Sequence, residues 1–393
     1  MPRNAYPAPL VITPLGEEHT HTIISLHGRG SNAERFGYEL LAAANLQARL
    51  PTVKFIFPTA SKRRATRFKK MHINQWFDNY SIEDPGERTD LQVEGLCGTA
   101  GLIRGLISEE ARILGADSHR KIVLWGLSQG CATGIFTLLG GWPDATETST
   151  IGAFVGMSGW LPFEQQLHEI LQCGEIPPSA RDDQEPRSDD DSDSDDGEAD
   201  MQQSNSDGES DVDADVFSEL DLDDDPFKRS SPSHDDFDPF ADDEEKSSLL
   251  EHAISHVRDI LDLPMISADD HSMEDSQSQP SFHHLQTPVF IGHGSEDPKV
   301  SVELGRKMSH VLLAGFGMDV TWKAYDGLGH WYRVEDEIED ILRFLQDRVD
   351  LPVTQVLPQD QHCLDSFVAV TKDIYGINLM EVRVACHMMM RFT

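Results

Sequence analysis

Six short apolar runs alternate with longer stretches of helical periodicity. This alternation limits what the chain can fold into more than any other feature. The runs are TIISLHG at 22–28, TVKFIFP at 52–58, KIVLWG at 121–126, AFVGMSG at 153–159, TPVFIGHG at 287–294 and DVTWKAY at 319–325. Each is rich in Val, Ile, Phe or Trp and is bounded by Gly or Pro, as expected of strands buried on both faces. Helical periodicity falls between them, at 91–114, 129–139, 249–261, 300–315 and 334–349. Strands alternating with helices imply an α/β architecture, a mostly parallel sheet with helices on both faces.

The alternation stops between 179 and 245. From 182 to 245 the sequence has 28 acidic residues against three basic ones, about two thirds of the chain's formal net charge of -37. So few apolar side chains cannot bury enough surface to offset the entropy of ordering the segment. It therefore reads as a long disordered acidic insertion. The insertion splits one α/β domain into 1–178 and 246–350, the second part carrying a further loop at 268–281. Residues 351–393 form a tail of weak periodicity that receives no structural assignment.

Composition removes several function classes. Net acidity disfavours nucleic acid and anionic membranes as general partners, because attraction to phosphate needs Lys and Arg. Five cysteines, odd in number and widely spaced without a C-x-x-C, read as free thiols in a reducing compartment, which points to the cytoplasm, with the nucleus also open. The N-terminus shows no signal-peptide pattern, and no apolar stretch is long enough to span a bilayer, so no stable membrane insertion is expected. No histidine or cysteine grouping has metal-ligand spacing, and no Gly-rich loop is followed by Lys-Ser or Lys-Thr. No metal and no cofactor are expected.

The chemistry concentrates around GLSQG at 126–130. Gly126, Ser128 and Gly130 give G-x-S-x-G, a pattern short enough to be an ordinary Gly-Ser turn. Here it follows a buried strand and precedes the apolar helical run CATGIFTLL, the strand–turn–helix context of a nucleophile elbow. Ser158 in GMSGW lacks that context. A serine nucleophile needs a base, and the base needs an orienting carboxylate. Asp297 follows one later strand and His330 follows the next, in the chain order Ser, Asp, His. Asp297 before Pro298 also reads as a turn or cap residue, with Glu296 as the substitute acid, and His330 reads equally as a loop histidine packed on Trp331. Oxyanion donors are expected from the backbone N–H of Gln129 and from the Gly-rich loop LHGRGSN, at the N–H of Arg29.

The segments SLHGRGSN, NQWFDNYS, VLWGLSQG, SGWLP, GHGSEDPKV and GLGHWY, in this order, resemble the phospholipase/carboxylesterase family of α/β-hydrolases. The chain looks close to the acyl-protein thioesterases of that family, in a fungal branch. The resemblance covers about 8–172 and 246–349. It implies an α/β-hydrolase fold and a serine esterase or thioesterase acting on acyl chains of lipids, lipidated proteins or small esters. It also implies a triad of Ser128, Asp297 and His330, oxyanion N–H groups at Arg29 and Gln129, and a substrate pocket bordered by Trp76, Phe77, Trp160 and Leu161. Two positions depart from the family pattern: Arg29 stands where an apolar residue is usual, and Cys131 where a second glycine is usual. The acidic insertion is foreign to compact members.

Two charged features lie outside that pattern. SKRRATRFKK at 61–70 carries six cations and reads as a solvated loop or as a docking patch for anionic groups. Within the insertion, Asp225-Pro226-Phe227 and Asp238-Pro239-Phe240 resemble short motifs that endocytic adaptors bind. They support an alternative reading of the chain as an interaction protein whose hydrolase domain mainly displays this acidic segment to a protein partner.

Overall fold

The computed structural model describes residues 6–115, 118–143, 150–174, 241–264 and 282–354. The D-P-F motifs, the loop at 268–281, nearly all of the acidic insertion and all but the first residues of the tail lie outside them. Nine strands occur among the described residues: β1 (Leu10–Ile12), β2 (His21–Leu26), β3 (Val53–Phe57), β4 (Lys62–Ala65), β5 (Met71–Asn74), β6 (Ile122–Leu127), β7 (Ala153–Met157), β8 (Val289–Gly294) and β9 (Val320–Tyr325). Seven form one sheet in the order β1-β3-β2-β6-β7-β8-β9. Only β1 is antiparallel, pairing Val11 with Ile56; every other neighbour is parallel. This is the α/β-hydrolase architecture expected from the sequence, and the six runs are β2, β3, β6, β7, β8 and β9; β9 lies at the sheet edge and is only partly buried, not buried on both faces as expected.

The helices are α1 (Ala33–Ala43), α2 (Leu46–Arg49), α3 (Val93–Leu114), α4 (Gln129–Leu139), α5 (Glu164–Ile170), α6 (Ala241–Ile260), α7 (Val302–His310) and α8 (Glu339–Val349). π-helical turns at Val311–Gly315 and Val334–Ile338 adjoin α7 and α8. Successive strand residues point to opposite sheet faces, so the core divides in two. Ile24, Leu26, Leu124, Phe154 and Ile291 face a layer containing Ile103 and Ile107 of α3, Ile135 and Phe136 of α4, and Ile254 of α6. Ile23, Phe55, Val123, Trp125, Val155 and Phe290 face Phe36 and Leu40 of α1 with Ile341 and Leu345 of α8.

The structure corrects the sequence reading at several boundaries. Disorder was expected to run to residue 245, but α6 begins at Ala241. Helix α1 was not expected, although Asn32 caps it by accepting from the Arg35 N–H at 2.8 Å. The basic run supplies the first strand and the connection of a β-hairpin: β4 and β5 pair antiparallel, with Arg64 opposite His72. At the tail's start, Leu351 is buried and the Thr354 N–H donates to the Arg49 carbonyl at 2.7 Å.

Candidate active site

Strand order reverses between β2 and β6, which lie side by side while the chain winds outward from them in opposite directions. Open parallel sheets hold ligands at the carboxyl ends of strands at such a point. The loop holding Arg29 follows β2, and Ser128 follows β6 directly. Asp297 and His330 follow β8 and β9, so all four candidates stand at the same sheet edge.

The turn at Ser128 is forced. Its backbone has φ 56° and ψ -119°, a conformation non-glycine residues rarely adopt. The flanking glycines show why the elbow is tight. A Cβ at Gly126 would overlap the backbone of Gly130, and one at Gly130 would overlap the carbonyl of Leu26. Helix α4 therefore starts almost against β2 and β6. The Ser128 N–H donates to the Met157 carbonyl at 2.8 Å, and Ser128 keeps 8% of its surface exposed. Ser158, the competing serine, is fully buried.

His330 Nδ1 lies 2.7 Å from Asp297 Oδ2. The other oxygen of Asp297, Oδ1, accepts the backbone N–H groups of Lys299 at 2.8 Å and Val300 at 3.0 Å. Burial pushes this carboxyl up, but hydrogen bonds from His293 and His330, the His330 charge and the Val300 amide more than reverse that. The net result lies well below the usual carboxylate range. Asp297 is thus an ionised, fully buried acceptor against the imidazole. Glu296, the substitute acid, uses its backbone N–H to hold the Leu328 carbonyl at 3.0 Å.

The loop after β2 is shaped by His27. Its Nε2 accepts the Ala60 N–H at 3.0 Å, so Nδ1 carries the hydrogen and donates to the Gly28 carbonyl at 2.7 Å. Burial pushes His27 down to about 4, against the pull of the Gly28 carbonyl, which keeps that tautomer neutral. Gly28 packs against Ser128, where an added Cβ would lie 3.5 Å from the Ser128 Cβ. The Gly30 N–H already donates to the Asn74 carbonyl at 2.7 Å. This leaves the Arg29 N–H as the loop amide of interest beside Ser128. The Gln129 N–H is in the first turn of α4, where no intrahelical acceptor exists.

Arg29 and Gln129 also act through side chains that the sequence reading did not use. Arg29 Nη1 donates to Asn79 Oδ1 at 2.6 Å, and its guanidinium lies 5.0 Å from the Phe68 ring centre. Burial, then the Arg67 charge, pushes Arg29 down to about 10, with Asp78 and Glu83 opposing. It remains a cation at neutral pH. Gln129 Oε1 accepts the Trp76 N–H at 3.0 Å, and Nε2 donates to the Phe77 carbonyl at 2.8 Å. The amide therefore staples the 76–77 loop to the elbow. Trp76 Nε1 donates to the His27 carbonyl at 2.7 Å, so elbow, loop and β2 end are tied together.

The four expected pocket residues separate. Trp160 and Leu161 border a groove of about 520 Å³ with Phe163, Leu304, Glu164 and Lys307. Trp76 and Phe77 are fully buried and do not border it; Phe77 meets Trp160 edge-on, ring centres 6.1 Å apart. Gly159, before Trp160, packs on the Ser128 carbonyl, where an added Cβ would lie 3.2 Å away. Among the described residues, no group of three or more His, Cys, Asp or Glu side chains could hold a metal ion, and no helix is long and apolar enough to cross a membrane.

Comparison with known proteins finds relatives of this chain. A family model described as phospholipase/carboxylesterase matches residues 8–178. Over these residues the chain is similar to the phospholipase/carboxylesterase family. An acyl-protein thioesterase 1 from Yarrowia lipolytica is 33% identical over 162 residues, 41% of this chain and 66% of that protein. A protein of the same name from Gibberella zeae is 25% identical over 349 residues, 87% of this chain and 96% of its own. Lysophospholipase-like protein 1 from Mus musculus is 29% identical over 165 residues, 42% of this chain and 64% of its own. The chain thus spans about two thirds of the first and third relatives. The family model ends before Asp297 and His330, so their placement rests on the geometry above.

Proposed function

We propose that this chain is a serine hydrolase that cleaves carboxylic esters or thioesters of acyl chains, including those on proteins. Ser128 attacks the acyl carbonyl while His330 takes its proton. The oxyanion rests on the N–H groups of Arg29 and Gln129, and His330 returns the proton to the leaving alcohol or thiol. Water, deprotonated by the same imidazole, then releases the acid and frees Ser128. Asp297 holds His330 with Nδ1 protonated, leaving Nε2 as the base.

The observation that carries the reading is the 2.7 Å approach of His330 Nδ1 to a buried, ionised Asp297 at the sheet edge where Ser128 is held in a strained elbow. Likeness to the phospholipase/carboxylesterase family and to relatives named acyl-protein thioesterase supports acyl substrates. The apolar wall of Trp160, Leu161, Phe163 and Leu304 supports an acyl chain in the groove. The deciding experiment is labelling with a fluorophosphonate probe, comparing the wild type with Ser128→Ala. Labelling should require Ser128, and equal labelling of both proteins rejects the reading. Parallel assays on an S-palmitoyl peptide and a matched O-ester then separate thioesterase from esterase activity.

A further inference from the structure

The G-H-G segment at the end of β8 carries a buried histidine with no role in the mechanism above. His293 Nε2 lies 2.9 Å from the Val300 carbonyl and 3.4 Å from Asp297 Oδ2. A carbonyl oxygen only accepts, so Nε2 carries the hydrogen. Val300 is therefore held on both sides: its carbonyl receives the His293 N–H, and its own N–H donates to Asp297 Oδ1 at 3.0 Å. The imidazole is confined in turn. A Cβ on Gly305 of α7 would overlap His293 Nδ1, and the Trp322 ring of β9 stands 6.3 Å from the imidazole centre. His293 and the Asp297 side chain are both fully buried.

We propose that His293 is a positioning residue for the Asp297–His330 pair. Its Nε2–H anchors the 297–300 turn and closes the second approach to Asp297 Oδ2, so the carboxylate meets His330 Nδ1 in a single orientation. The inference rests on the serine-hydrolase reading. It differs from a space-filling role because it assigns the effect to one N–H rather than to ring volume. A carboxylate free to turn would let the imidazole drift, and a displacement of about 1 Å in a catalytic group costs on the order of 100-fold in rate.

Two variants separate these roles. His293→Leu keeps much of the volume without the N–H, whereas His293→Gln carries an amide N–H near the Nε2 position. The readouts are kcat and KM on a soluble p-nitrophenyl ester and the low-field proton NMR signal of the His330 Nδ1–H to Asp297 hydrogen bond. His293→Leu is expected to lower kcat about tenfold or more with KM within about twofold, and to weaken the low-field signal. His293→Gln is expected to recover at least about threefold of that loss and to keep the signal. Wild-type kcat and signal in His293→Leu, or equal impairment of both variants, overturns the proposal. If His293→Leu does not fold, loss of the signal in folded His293→Gln overturns it. Ser128→Ala run alongside keeps the two inferences apart: undiminished hydrolysis there removes the hydrolase reading, while the NMR signal reports on His293 alone.

Discussion

Glu337→Gln should flatten the pH dependence of stability between about pH 4.5 and pH 8. Glu337 lies in the Val334–Ile338 π-helical turn and is fully buried. Its Oε2 accepts the Arg333 N–H at 3.4 Å, Oε1 has no hydrogen-bond partner, and a Cβ on Gly292 of β8 would overlap it. Burial, then the Asp336 and Asp340 charges, raises the carboxyl from 4.5 to about 8, against the Arg333 amide and guanidinium. Below pH 4.5 the folded and unfolded chains both hold this proton, and the fold keeps its full stability. As pH rises toward 8 the unfolded chain releases it and the folded chain does not, so stability is lost across that window. An interval of about 3.5 pH units at about 1.4 kcal/mol each gives roughly 5 kcal/mol as an upper bound, and local relaxation lowers it to about 2–5 kcal/mol. Glutamine keeps the volume and the acceptor for Arg333 without the titration. His27 and His284, pushed down to about 4 by burial, favour the fold as pH rises from about 4 to 6.5. Both proteins carry them, so they cancel in the difference. Urea midpoints of wild type and variant, measured from about pH 5 to pH 9 at fixed ionic strength, should diverge in favour of the variant as pH rises. Parallel curves would refute the reasoning.

Gln129→Ala keeps the backbone N–H but leaves the Trp76 N–H and Phe77 carbonyl without their buried partner. At about 1–3 kcal/mol each, the thermal midpoint should fall by several degrees, and kcat/KM should fall more than fluorophosphonate labelling of Ser128 does. Arg29→Met keeps the proposed oxyanion donor and removes the hydrogen bond to Asn79. Its kcat on a short neutral ester should stay within about twofold of wild type, because a backbone donor survives a side-chain change; a loss of about 100-fold would show that the guanidinium itself takes part. Gly159→Ala would drive a Cβ into Cys131 and toward the Ser128 carbonyl. It should destabilise the fold by about 1–3 kcal/mol, with Cys131→Gly restoring most of that in a double-mutant cycle, and additive losses in the cycle would contradict direct contact.

The six main strands were legible because each is rich in Val, Ile, Phe or Trp; β2, β6, β7 and β8 are buried throughout and β3 nearly so, while β9 at the sheet edge is only partly buried. The strands that were missed lack that signal. β1 is three residues long, and β4 and β5, KRRA and MHIN, lie outside the main sheet, where hydrogen-bonded pairing needs no apolar pattern. Helix α1 was legible in principle from the Asn32 cap and the spacing of Phe36, Leu40 and Leu41. The start of α6 was not, because an acidic first turn and an acidic insertion have the same composition. Ser128, Asp297 and His330 lie at one edge because each comes within a few residues of the end of a readable strand, and a parallel sheet brings the ends of its strands together.

The side chains that brace those residues follow a different logic. His293 is read from sequence as part of a strand end, and only the turn of the 297–300 backbone brings Val300 and Asp297 to its Nε2. Cys131 shows the same thing through packing. The space it fills is left by Gly156 and Gly159, where added Cβ atoms would overlap its Sγ. These residues meet because β6 and β7 run parallel with Leu127 opposite Met157, which sets the first turn of α4 against the end of β7. Burial accordingly pushes the Cys131 thiol far up, and it packs as an apolar filler with little thiolate for chemistry. Cys131 is therefore accommodated because 156 and 159 are glycines, a fit set by strand register that no local pattern in the chain records.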